Sequence, residues 1–372
     1  SVEALSWKDI EEQSGIGKSD ITKLADLLLA NPKSFIRIGV GLSRNTVGAM
    51  SIRAISALAA ILGLHSGETG KGVLLSAGSF NGDNETLKFS HLKENPVRQV
   101  NMIQLGHALT ALKPGIHGLF VFNSNPLSVA PDASRVKKGL EREDLFTVVH
   151  EQVMTPTARY ADLLLPATTA LENQDIFGAY GHFSFGISER VIDPIGETKD
   201  NFSLSQLLAE KMGYEDAPFK QSLEERIQSY LAALEGVPEG TELSDFKPGQ
   251  YIKSVKAENS FIEQCGKITF VSSAVPSNQP QLPGILRTGE FDNPDLLSRF
   301  ALKLLTPPNG KLLNSTFGDR LTDDTGYLMI HPVDAQERGI TDGDSVMITN
   351  DRGEAIRSAA VTEDTQQGVV VA

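Results

Sequence analysis

Residues 145–166 read LFTVVHEQVMTPTARYADLLLP, two short apolar runs separated by a polar segment. The runs LFTVV (145–149) and DLLL (162–165) have the length and composition of buried β-strands. Between them, Thr155 is a suitable N-cap and Pro156 favours the first position of a helix, which predicts a short helix. Buried strands joined by a helical crossover pair in parallel, so this stretch predicts two neighbouring strands of a parallel sheet.

Two earlier passages repeat this strand, helix, strand pattern. SFIRIGVG (34–41) predicts a strand that enters a glycine turn, followed by a helix that ends at Gly63. The apolar face of that helix carries Ile52, Ile55, Ala59 and Leu62. GLFVF (118–122) predicts a buried strand, followed by a turn and a polar, exposed helix over 134–143. Together the passages predict a Rossmann-like parallel sheet with both faces covered.

The chain changes character after a further predicted helix at 202–212, which Gly213 ends. Residues 214–260 are polar and charged and predict a linker of helix and loops. Beyond them the apolar pattern becomes alternating, which predicts strands at 267–273, 345–350, 355–361 and 368–372 and a short helix at 331–339. The predicted fold class is therefore α/β, with Rossmann-like parallel sheet layers followed by a small β-barrel domain.

Composition limits the classes of function. The formal net charge of −13 argues against a nucleic-acid partner. No apolar run approaches the roughly 20 residues that span a bilayer, so no direct membrane insertion is expected. The single cysteine, Cys265, excludes an internal disulfide and any all-cysteine metal site built by this chain alone, and is interpreted as a buried structural thiol. The chain starts without Met and stops at an apolar GVVVA, so we expect both ends to be cuts in a longer protein.

Polar and small residues follow the predicted strands, where a parallel sheet binds its ligands. They are Gly39, Gly41, Ser43, Arg44, Asn123, Ser124, Asn125, Pro126, His150, Glu151, Gln152, Ala167, Thr168 and Thr169. The carboxyl ends of parallel strands meet at the same edge of a sheet. We therefore expect these residues to converge on one edge.

Three of these features each have two interpretations. GVGLSRNTVG resembles a phosphate-cradling turn to which Arg44 adds a clamp, or it is a glycine turn that packs a strand against a helix. The amides of NSNP suit a purine edge or a ribose, or they start a turn. Glu151 accepts from a guanine edge or from ribose hydroxyls, or it is a solvated loop carboxylate. No histidine pair has the spacing of a helical metal site and no nucleophile elbow is visible, so the residues alone name no catalytic group.

Several longer passages carry a resemblance to a known family. The most specific are FVFNSNPLSVAPD (120–132) and EDLFTVVHEQVMTPTARYADLLLPATTALENQD (143–175). Supporting passages are GVGLSRNTVGAMSIRAISALAAILG (39–63), PIGETKDNFSLSQLLAEKMG (194–213) and LMIHPVDAQERGITDGDSVMITNDRG (328–353). Together they resemble the central and C-terminal portion of the large catalytic subunit of the molybdopterin oxidoreductases, the dimethyl sulfoxide reductase and formate dehydrogenase group.

The resemblance implies a bis(molybdopterin guanine dinucleotide) cofactor that holds molybdenum or tungsten. Gly41, Ser43 and Arg44 would lie along one pterin dinucleotide, and Asn314 and Ser315 would face a pterin. Contacts to the phosphates, the guanosine and the rest of the nucleotide would come from Asn123, Asn125, Pro126, Glu151, Thr155, Lys199 and Asp200. The resemblance places the metal's protein ligand, and any [4Fe-4S] cluster, upstream of residue 1, so no metal ligand is expected here.

The resemblance also implies a division into domains. Residues 1–43 would end an α/β pterin-binding domain, 44–213 would form the Rossmann-like domain and 214–260 the linker. Residues 261–372 would form a double-psi-type β-barrel that binds the molybdopterin dinucleotide and is truncated at its C-terminus. Any targeting signal would lie upstream, which leaves the location open, with the cytoplasm favoured over the periplasm.

The activity implied is that of an oxidoreductase, with two-electron or oxygen-atom transfer of the kind used in anaerobic respiration. Its partners would be a small-molecule substrate and a redox partner protein or iron–sulfur subunit. The alternative is a non-catalytic scaffold or electron-transfer-complex subunit that keeps the fold without the cofactor. A nicotinamide-dependent Rossmann enzyme is disfavoured, because no GxGxxG with a following acidic residue occurs.

Overall fold

The computed structural model describes residues 5–65, 72–74, 81–82, 85–178, 184–246, 250–253, 313–316, 318 and 326–372, and residues 268–308 except 272, 274, 278, 285, 287, 288 and 291. The prediction for Cys265 lies outside the described residues. The chain divides into two compact units. Unit 1 draws on 1–79, 180–182 and 256–299, and unit 2 on 80–179, 183–255 and 300–372.

The helices and strands are as follows. Helices are α1 (Trp7–Ser14), α2 (Lys18–Ala30), α3 (Gly48–Ile61), α4 (Glu85–Lys88), α5 (Leu105–Ala111), α6 (Pro126–Val129), α7 (Ala133–Leu140), α8 (Asn201–Met212), α9 (Leu223–Ala233), α10 (Pro294–Arg299) and α11 (Pro332–Glu337). Strands are β1 (Ile36–Arg37), β2 (Val73–Leu74), β3 (Asn81–Gly82), β4 (Gly118–Phe122), β5 (Phe146–Glu151), β6 (Leu163–Pro166), β7 (Asp175–Gly178), β8 (Ser184–Ser188), β9 (Leu234–Glu235), β10 (Tyr251–Lys253), β11 (Lys303–Leu305), β12 (Tyr327–Ile330), β13 (Ser345–Asn350), β14 (Gly353–Val361) and β15 (Val369–Val371).

The central feature of unit 2 is a parallel sheet in the order β4-β5-β6. Val121 pairs with Val149, which pairs with Leu164 on its other side. The covered face packs Val121 and Val149 on Ala158, and Leu119 reaches the buried cluster between α5 and α7. All three strands and their parallel pairing were predicted from the apolar runs, so this prediction is confirmed.

The link between β5 and β6 is a short helical turn, as predicted from Thr155-Pro156. Residues 158–160 form a single 3₁₀ turn whose N-cap residue is Thr157, two positions after the predicted Thr155, and Thr155 Oγ1 accepts the Ala158 N–H at 3.2 Å. The chain then passes directly into β6. The helix is too short to cover the sheet, and it keeps the ends of both strands at one edge.

The other face of this sheet differs from the prediction that both faces are covered. Phe120, Phe122, Phe146 and Leu163 point to that face, and each is more than two-fifths exposed. The polar, exposed helix predicted over 134–143 also differs, because α7 buries Val136 completely. Its apolar residues are few but lie on one side, which packs on α5.

Close packing of α7 on α5 depends on glycine. A Cβ added at Gly139 would lie 2.5 Å from the Cβ of Leu109. We expect Gly139→Ala to lower the free energy of unfolding by about 1–2 kcal/mol in urea denaturation, because overpacking outweighs the gain in helix propensity. Gly118→Ala is the control, since nothing lies within 4 Å of its Cβ position. Equal stability of the two variants would contradict the prediction.

The C-terminal part of unit 2 is a curled mixed sheet in the order β11-β15-β12-β14-β13. Leu328, Ile330, Ala335 and Val370 form its core. The buried carboxylate of Asp334 in α11 ties the helix to the sheet by accepting the Gly368 N–H at 2.7 Å. The predicted α/β class, a parallel layer followed by a barrel-type sheet, is confirmed. The strand predicted at 267–273 is wrong for residues 268–271, which form no strand.

A further core of unit 2 lies between α9 and the antiparallel sheet β10-β8-β7. Phe185, Ile227, Leu231, Leu234 and Phe246 form it. Helix α9 begins with a capping box, in which the Ser222 side chain accepts the Glu225 N–H and the Glu225 carboxylate accepts the Ser222 N–H. Helix α8 ends at Gly213, whose φ of 78° is left-handed, as predicted.

Unit 1 contains the glycine-rich turn of the first predicted passage. The strand predicted at 34–41 is only Ile36–Arg37, which pairs in parallel with β2, and residues 40–43 form a 3₁₀ turn. Helix α3 follows and ends just before Gly63, as predicted. Its Arg53 donates to the carbonyls of Pro280 and Gln281. None of the helices in the described ranges has the length and apolar character of a membrane span.

Candidate functional site

The carboxyl ends of β4, β5 and β6 lie side by side in unit 2, because the three strands are parallel. Asn123 follows β4 directly and Glu151 is the last residue of β5. The chain returns to this edge later, where Lys199 forms a parallel bridge with Ala167 and donates its N–H to the Pro166 carbonyl at 3.1 Å. The residues predicted to follow β4, β5 and β6 therefore share one edge, and Lys199 joins them.

Asn125 is buried at this edge, and its amide makes four hydrogen bonds. Its Oδ1 accepts from the Thr157 hydroxyl at 2.7 Å and the Thr157 N–H at 3.3 Å. Its Nδ2 donates to the hydroxyls of Ser128 at 3.0 Å and Ser315 at 3.1 Å. Thr157 Oγ1 also accepts the Leu127 N–H at 3.0 Å. Both amide hydrogens of Asn125 are used inside the protein, so it has no donor left for a ligand.

Asn123 exposes its side chain at the same edge. Its φ of 52° is left-handed, a conformation that asparagine tolerates better than most residues. Its Oδ1 accepts from Asn201 Nδ2 at 3.0 Å, and Asn201 Oδ1 lies 3.0 Å from Nδ1 of the buried His150. An exposed amide is thus held by a buried histidine through one intermediate amide.

Two carboxylates and one ammonium group complete this edge. Glu151 is half-buried, and its Oε1 accepts the Gln152 N–H at 2.8 Å. Asp200 caps α8, because its Oδ1 accepts the Ser203 N–H at 2.9 Å and its Oδ2 accepts the Ser203 hydroxyl at 2.6 Å. Lys199 is exposed. This set of groups suits a polar ligand that carries both phosphate oxygens and N–H or hydroxyl donors.

The turn at 313–316 joins this site from the C-terminal part of unit 2. Asn314 has a left-handed φ of 54°, and the Thr316 N–H closes the turn on the Leu313 carbonyl at 3.0 Å. Ser315 lies next in this turn and accepts from Asn125. Pro126 is buried at the start of α6 and has no side-chain polar group to offer. The structure therefore brings nine of the predicted site residues to one region of unit 2, namely Asn123, Asn125, Pro126, Glu151, Thr155, Lys199, Asp200, Asn314 and Ser315.

The remaining predicted site residues lie in unit 1, in and after the turn at 40–43. Gly41 has an ordinary negative φ, and nothing lies within 4 Å of its Cβ position. Ser43 donates its hydroxyl to the Val40 carbonyl at 2.7 Å, and Arg44 is exposed. Gly48 differs, because a Cβ there would lie 2.5 Å from the Leu42 carbonyl oxygen. The close packing of this turn thus needs Gly48, whereas Gly41 leaves open space.

Glu172 supports the loop after β6. Only 4% of it is exposed, and its carboxylate accepts the N–H groups of Thr169 and Ile195, each at 2.7 Å. These hydrogen bonds, that from Thr169 foremost, hold the pKa of Glu172 below its ordinary value. The loop that carries Thr168 at the site edge is therefore fixed by an ionised side chain.

We expect this interaction to make stability depend on pH. Because the folded pKa is lowered, the ionised carboxylate stabilises the fold above the ordinary glutamate pKa, and this contribution is lost as pH falls through the folded value. Glu172→Gln should therefore lower the melting temperature at pH 7 and converge with the wild type in acid. Melting curves from pH 3 to 8 check this, with the exposed Glu143→Gln as control. A difference between wild type and Glu172→Gln that is independent of pH would contradict it.

Sequence reasoning missed several residues that build the site. Thr157, Ser128 and Asn201 were not singled out, and His150 was considered only as a metal ligand or strand-end group. The signal at Thr157 was available, since a hydroxyl in the turn between two buried strands must find a partner. Its partner Asn125 lies 32 positions away in the chain, so only the fold shows the pair. Within the described ranges, no group of three or more His, Cys, Asp or Glu side chains is placed to hold a metal ion.

Two family models match this sequence. The model described as molybdopterin oxidoreductase matches residues 17–211, and the model described as molydopterin dinucleotide binding domain matches residues 304–372. The first covers the residues of the parallel sheet. The second covers the curled C-terminal sheet and the turn at 313–316.

Whole-protein comparisons agree with the family models. The chain is 36% identical to the probable oxidoreductase YoaE of Bacillus subtilis (strain 168), over 96% of this chain and 53% of the relative. It is 27% identical to dimethyl sulfoxide reductase DmsA of Escherichia coli (strain K12), over 96% of this chain and 50% of the relative. The chain thus spans about half the length of these curated relatives. The fold is similar to that of acetylene hydratase from Pelobacter acetylenicus, with a TM-score of 0.57 and 22% identity over 73% of this chain and 39% of that chain.

Proposed function

Because the chain belongs to the molybdopterin oxidoreductase family, as the resemblance of its motifs indicated, we propose that it is the molybdopterin guanine dinucleotide-binding portion of a molybdenum or tungsten oxidoreductase. The whole protein would carry out two-electron or oxygen-atom transfer. The proposal rests on one observation. Amide, carboxylate and ammonium groups lie together at the carboxyl ends of β4, β5 and β6, beside the turn at 313–316, which belongs to the region matched by the second family model.

The groups at this edge fit a guanosine nucleotide. Among the described residues, Glu151 Oε2 accepts no hydrogen bond, so it is free to accept from the N1 and N2 donors of guanine. Lys199 would face phosphate, and Asp200 would accept from ribose hydroxyls with its remaining lone pairs. Asn123 would add an exposed amide. Thr155 would line the site beside its own turn.

We assign Asn125 and Pro126 to the framework of the site. Both amide hydrogens of Asn125 are already bonded to protein hydroxyls, and Pro126 is buried. Ser315 is held by Asn125, and with Asn314 it would face the pterin part of the cofactor. In unit 1, the open space at Gly41 would let the backbone approach a second dinucleotide, with Ser43 and Arg44 beside it.

The cofactor, in the bis form with molybdenum or tungsten, would supply the redox chemistry. The residues of this chain would bind and orient it. A small-molecule substrate and a redox partner protein or iron–sulfur subunit would complete the reaction of the whole protein, and a [4Fe-4S] cluster would belong to its remaining part. These assignments follow from the family and are proposals for this chain.

Isothermal titration with GDP tests the nucleotide part of the proposal on the 372-residue chain. We expect GDP to bind and ADP to bind more weakly, because only guanine offers N–H donors at both N1 and N2. For the whole protein, acid extraction should release a fluorescent oxidised pterin, and elemental analysis should find molybdenum or tungsten. Absence of GDP binding together with absence of pterin and metal would support the non-catalytic scaffold instead.

A further inference from the structure

His150 is buried, yet both of its ring nitrogens lie next to an oxygen atom. Nδ1 lies 3.0 Å from Asn201 Oδ1, and Nε2 lies 3.0 Å from the Lys199 carbonyl oxygen. A carbonyl oxygen only accepts hydrogen bonds, so Nε2 must carry a hydrogen. The protonation of Nδ1 is then the one variable that the surroundings of His150 leave open.

The state of Nδ1 determines how the two neighbouring amides are oriented. With a hydrogen on Nδ1, the ring donates to Asn201 Oδ1, Asn201 Nδ2 donates to Asn123 Oδ1, and both N–H groups of Asn123 are free for a ligand. Without that hydrogen, Nδ1 accepts, so Asn201 must turn its Nδ2 to the ring and its Oδ1 to Asn123. Asn123 then turns as well, donates to Asn201 and presents its own Oδ1 at the edge.

We propose that His150 is a positioning residue that sets, through Asn201, whether Asn123 presents hydrogen-bond donors or an acceptor to the ligand. The doubly protonated ring gives Asn123 the donor orientation, which suits an acceptor oxygen of a nucleotide, either a phosphate oxygen or the guanine carbonyl. The neutral ring gives the acceptor orientation and weakens that contact. This inference rests on the proposed nucleotide site.

Three charged residues, Glu151, Lys199 and Asp200, are neighbours of His150 or of its hydrogen-bond partners. Glu151 follows it on β5, and Lys199 and Asp200 precede α8. Glu151 Oε1 is bonded to the Gln152 N–H, and both oxygens of Asp200 are bonded to Ser203. In the described part of the chain neither carboxylate is hydrogen-bonded to the ring, whose two partners are the amide of Asn201 and the Lys199 carbonyl.

The first experiment follows the relay by NMR on the 372-residue chain. Nitrogen-15 shifts of the His150 ring report its protonation between pH 5.5 and 9, and the side-chain amide signals of Asn123 and Asn201 report their environment. We expect a change in the protonation of the ring to move the amide signals together with it. A ring that keeps one state throughout, or amide signals that stay unchanged while the ring titrates, would overturn the inference whatever the nucleotide result.

The second experiment measures the affinity for GDP and for guanosine over the same pH range. We expect the wild type to bind about five-fold more tightly with the doubly protonated ring than with the neutral ring, the size of one hydrogen bond. Asn201→Ala and His150→Gln should remove this dependence, and the exposed His117→Gln should keep it. Asn201 is only partly buried, so its variant separates loss of the relay from loss of the fold. The protonation of GDP itself depends on pH in the same way for every variant, so it does not account for a difference between variants.

The outcomes separate the two proposals. Wild-type binding of GDP with an unchanged pH dependence in Asn201→Ala overturns the relay and leaves the nucleotide site standing. Lack of GDP binding at every pH counts against the nucleotide site, and the NMR coupling then decides the relay alone. A pH effect seen with GDP but not with guanosine assigns the Asn123 contact to phosphate, and an effect with both assigns it to the guanine carbonyl.

Discussion

Asn125→Ala is expected to lower the free energy of unfolding by about 3–5 kcal/mol, since each buried polar group left without a partner costs about 1–3 kcal/mol. The substitution removes the acceptor of the Thr157 hydroxyl and N–H, and Thr157 is completely buried. It also removes the donors to Ser128 and Ser315. Urea denaturation of the 372-residue chain, followed by the fluorescence of a probe introduced in unit 2 or by circular dichroism, measures the loss.

Two further substitutions each remove part of the hydrogen-bond network of Asn125. Ser315→Ala removes one of the four hydrogen bonds of Asn125 and should cost about 1 kcal/mol. Thr157→Val keeps the shape of the side chain and should cost more, because Leu127 N–H also loses its acceptor. The double variant Asn125→Ala, Thr157→Val should be less destabilised than the sum of the single variants. An Asn125→Ala variant that loses less than about 1 kcal/mol, as exposed asparagines do, would contradict the network.

The strands of unit 2 could be predicted because their signal is local. GLFVF, LFTVV and DLLL are each bounded apolar runs, and a crossover of the right kind lies between the last two, so both the strands and their parallel pairing followed. The length of β1 could not be predicted in the same way. Its apolar run extends from 34 to 41, but only Ile36 and Arg37 find a partner in β2. The length of a strand also depends on the length of its partner strand, which its own apolar run does not determine.

The prediction that both faces of the sheet are covered was wrong for a related reason. The apolar runs indicated burial on both sides, since Phe120 and Phe122 alternate with Val121 on β4. The structure buries Val121 and leaves the two phenylalanines about half exposed. Buried residues are mostly hydrophobic, but hydrophobic residues are not always buried, because apolar side chains also occupy much of a protein surface. The sequence alone therefore identifies the covered face poorly when both faces are apolar.

That the residues after β4, β5 and β6 converge on one edge could be predicted from the sequence, but their hydrogen bonds to one another could not. That the groups after β4 and β5 share an edge follows from parallel pairing alone. The contact between Asn125 and Ser315 spans 190 positions, and that between His150 and Asn201 spans 51. Side-chain hydrogen bonds leave no periodic signal in a sequence. Which amide is saturated and which remains free for a ligand is therefore visible only in the structure.

Glu151→Gln is expected to weaken GDP binding by roughly 10- to 100-fold and to change ADP binding little, since a hydrogen bond to a charged group contributes about 1.5–3 kcal/mol. In the proposed site, Glu151 Oε2 accepts from guanine N1 and N2, and adenine has no donor at N1. The carboxylate is held in place because its other oxygen accepts the Gln152 N–H. Isothermal titration of wild type and variant with both nucleotides measures the effect as a loss of discrimination.

Two comparisons distinguish a contact of Glu151 with guanine from a general effect of the charge of the chain. Glu143→Gln removes the same charge from an exposed position ahead of β5 and should leave both affinities unchanged. IDP lacks the N2 amine, so it should bind the wild type more weakly than GDP and lose less from Glu151→Gln. Equal weakening of GDP and ADP would assign Glu151 to the ribose hydroxyls, which both nucleotides share. An unchanged GDP affinity would contradict any contact of Glu151 with the nucleotide, because an acceptor held at this edge and facing guanine N–H groups cannot lose its charge without effect.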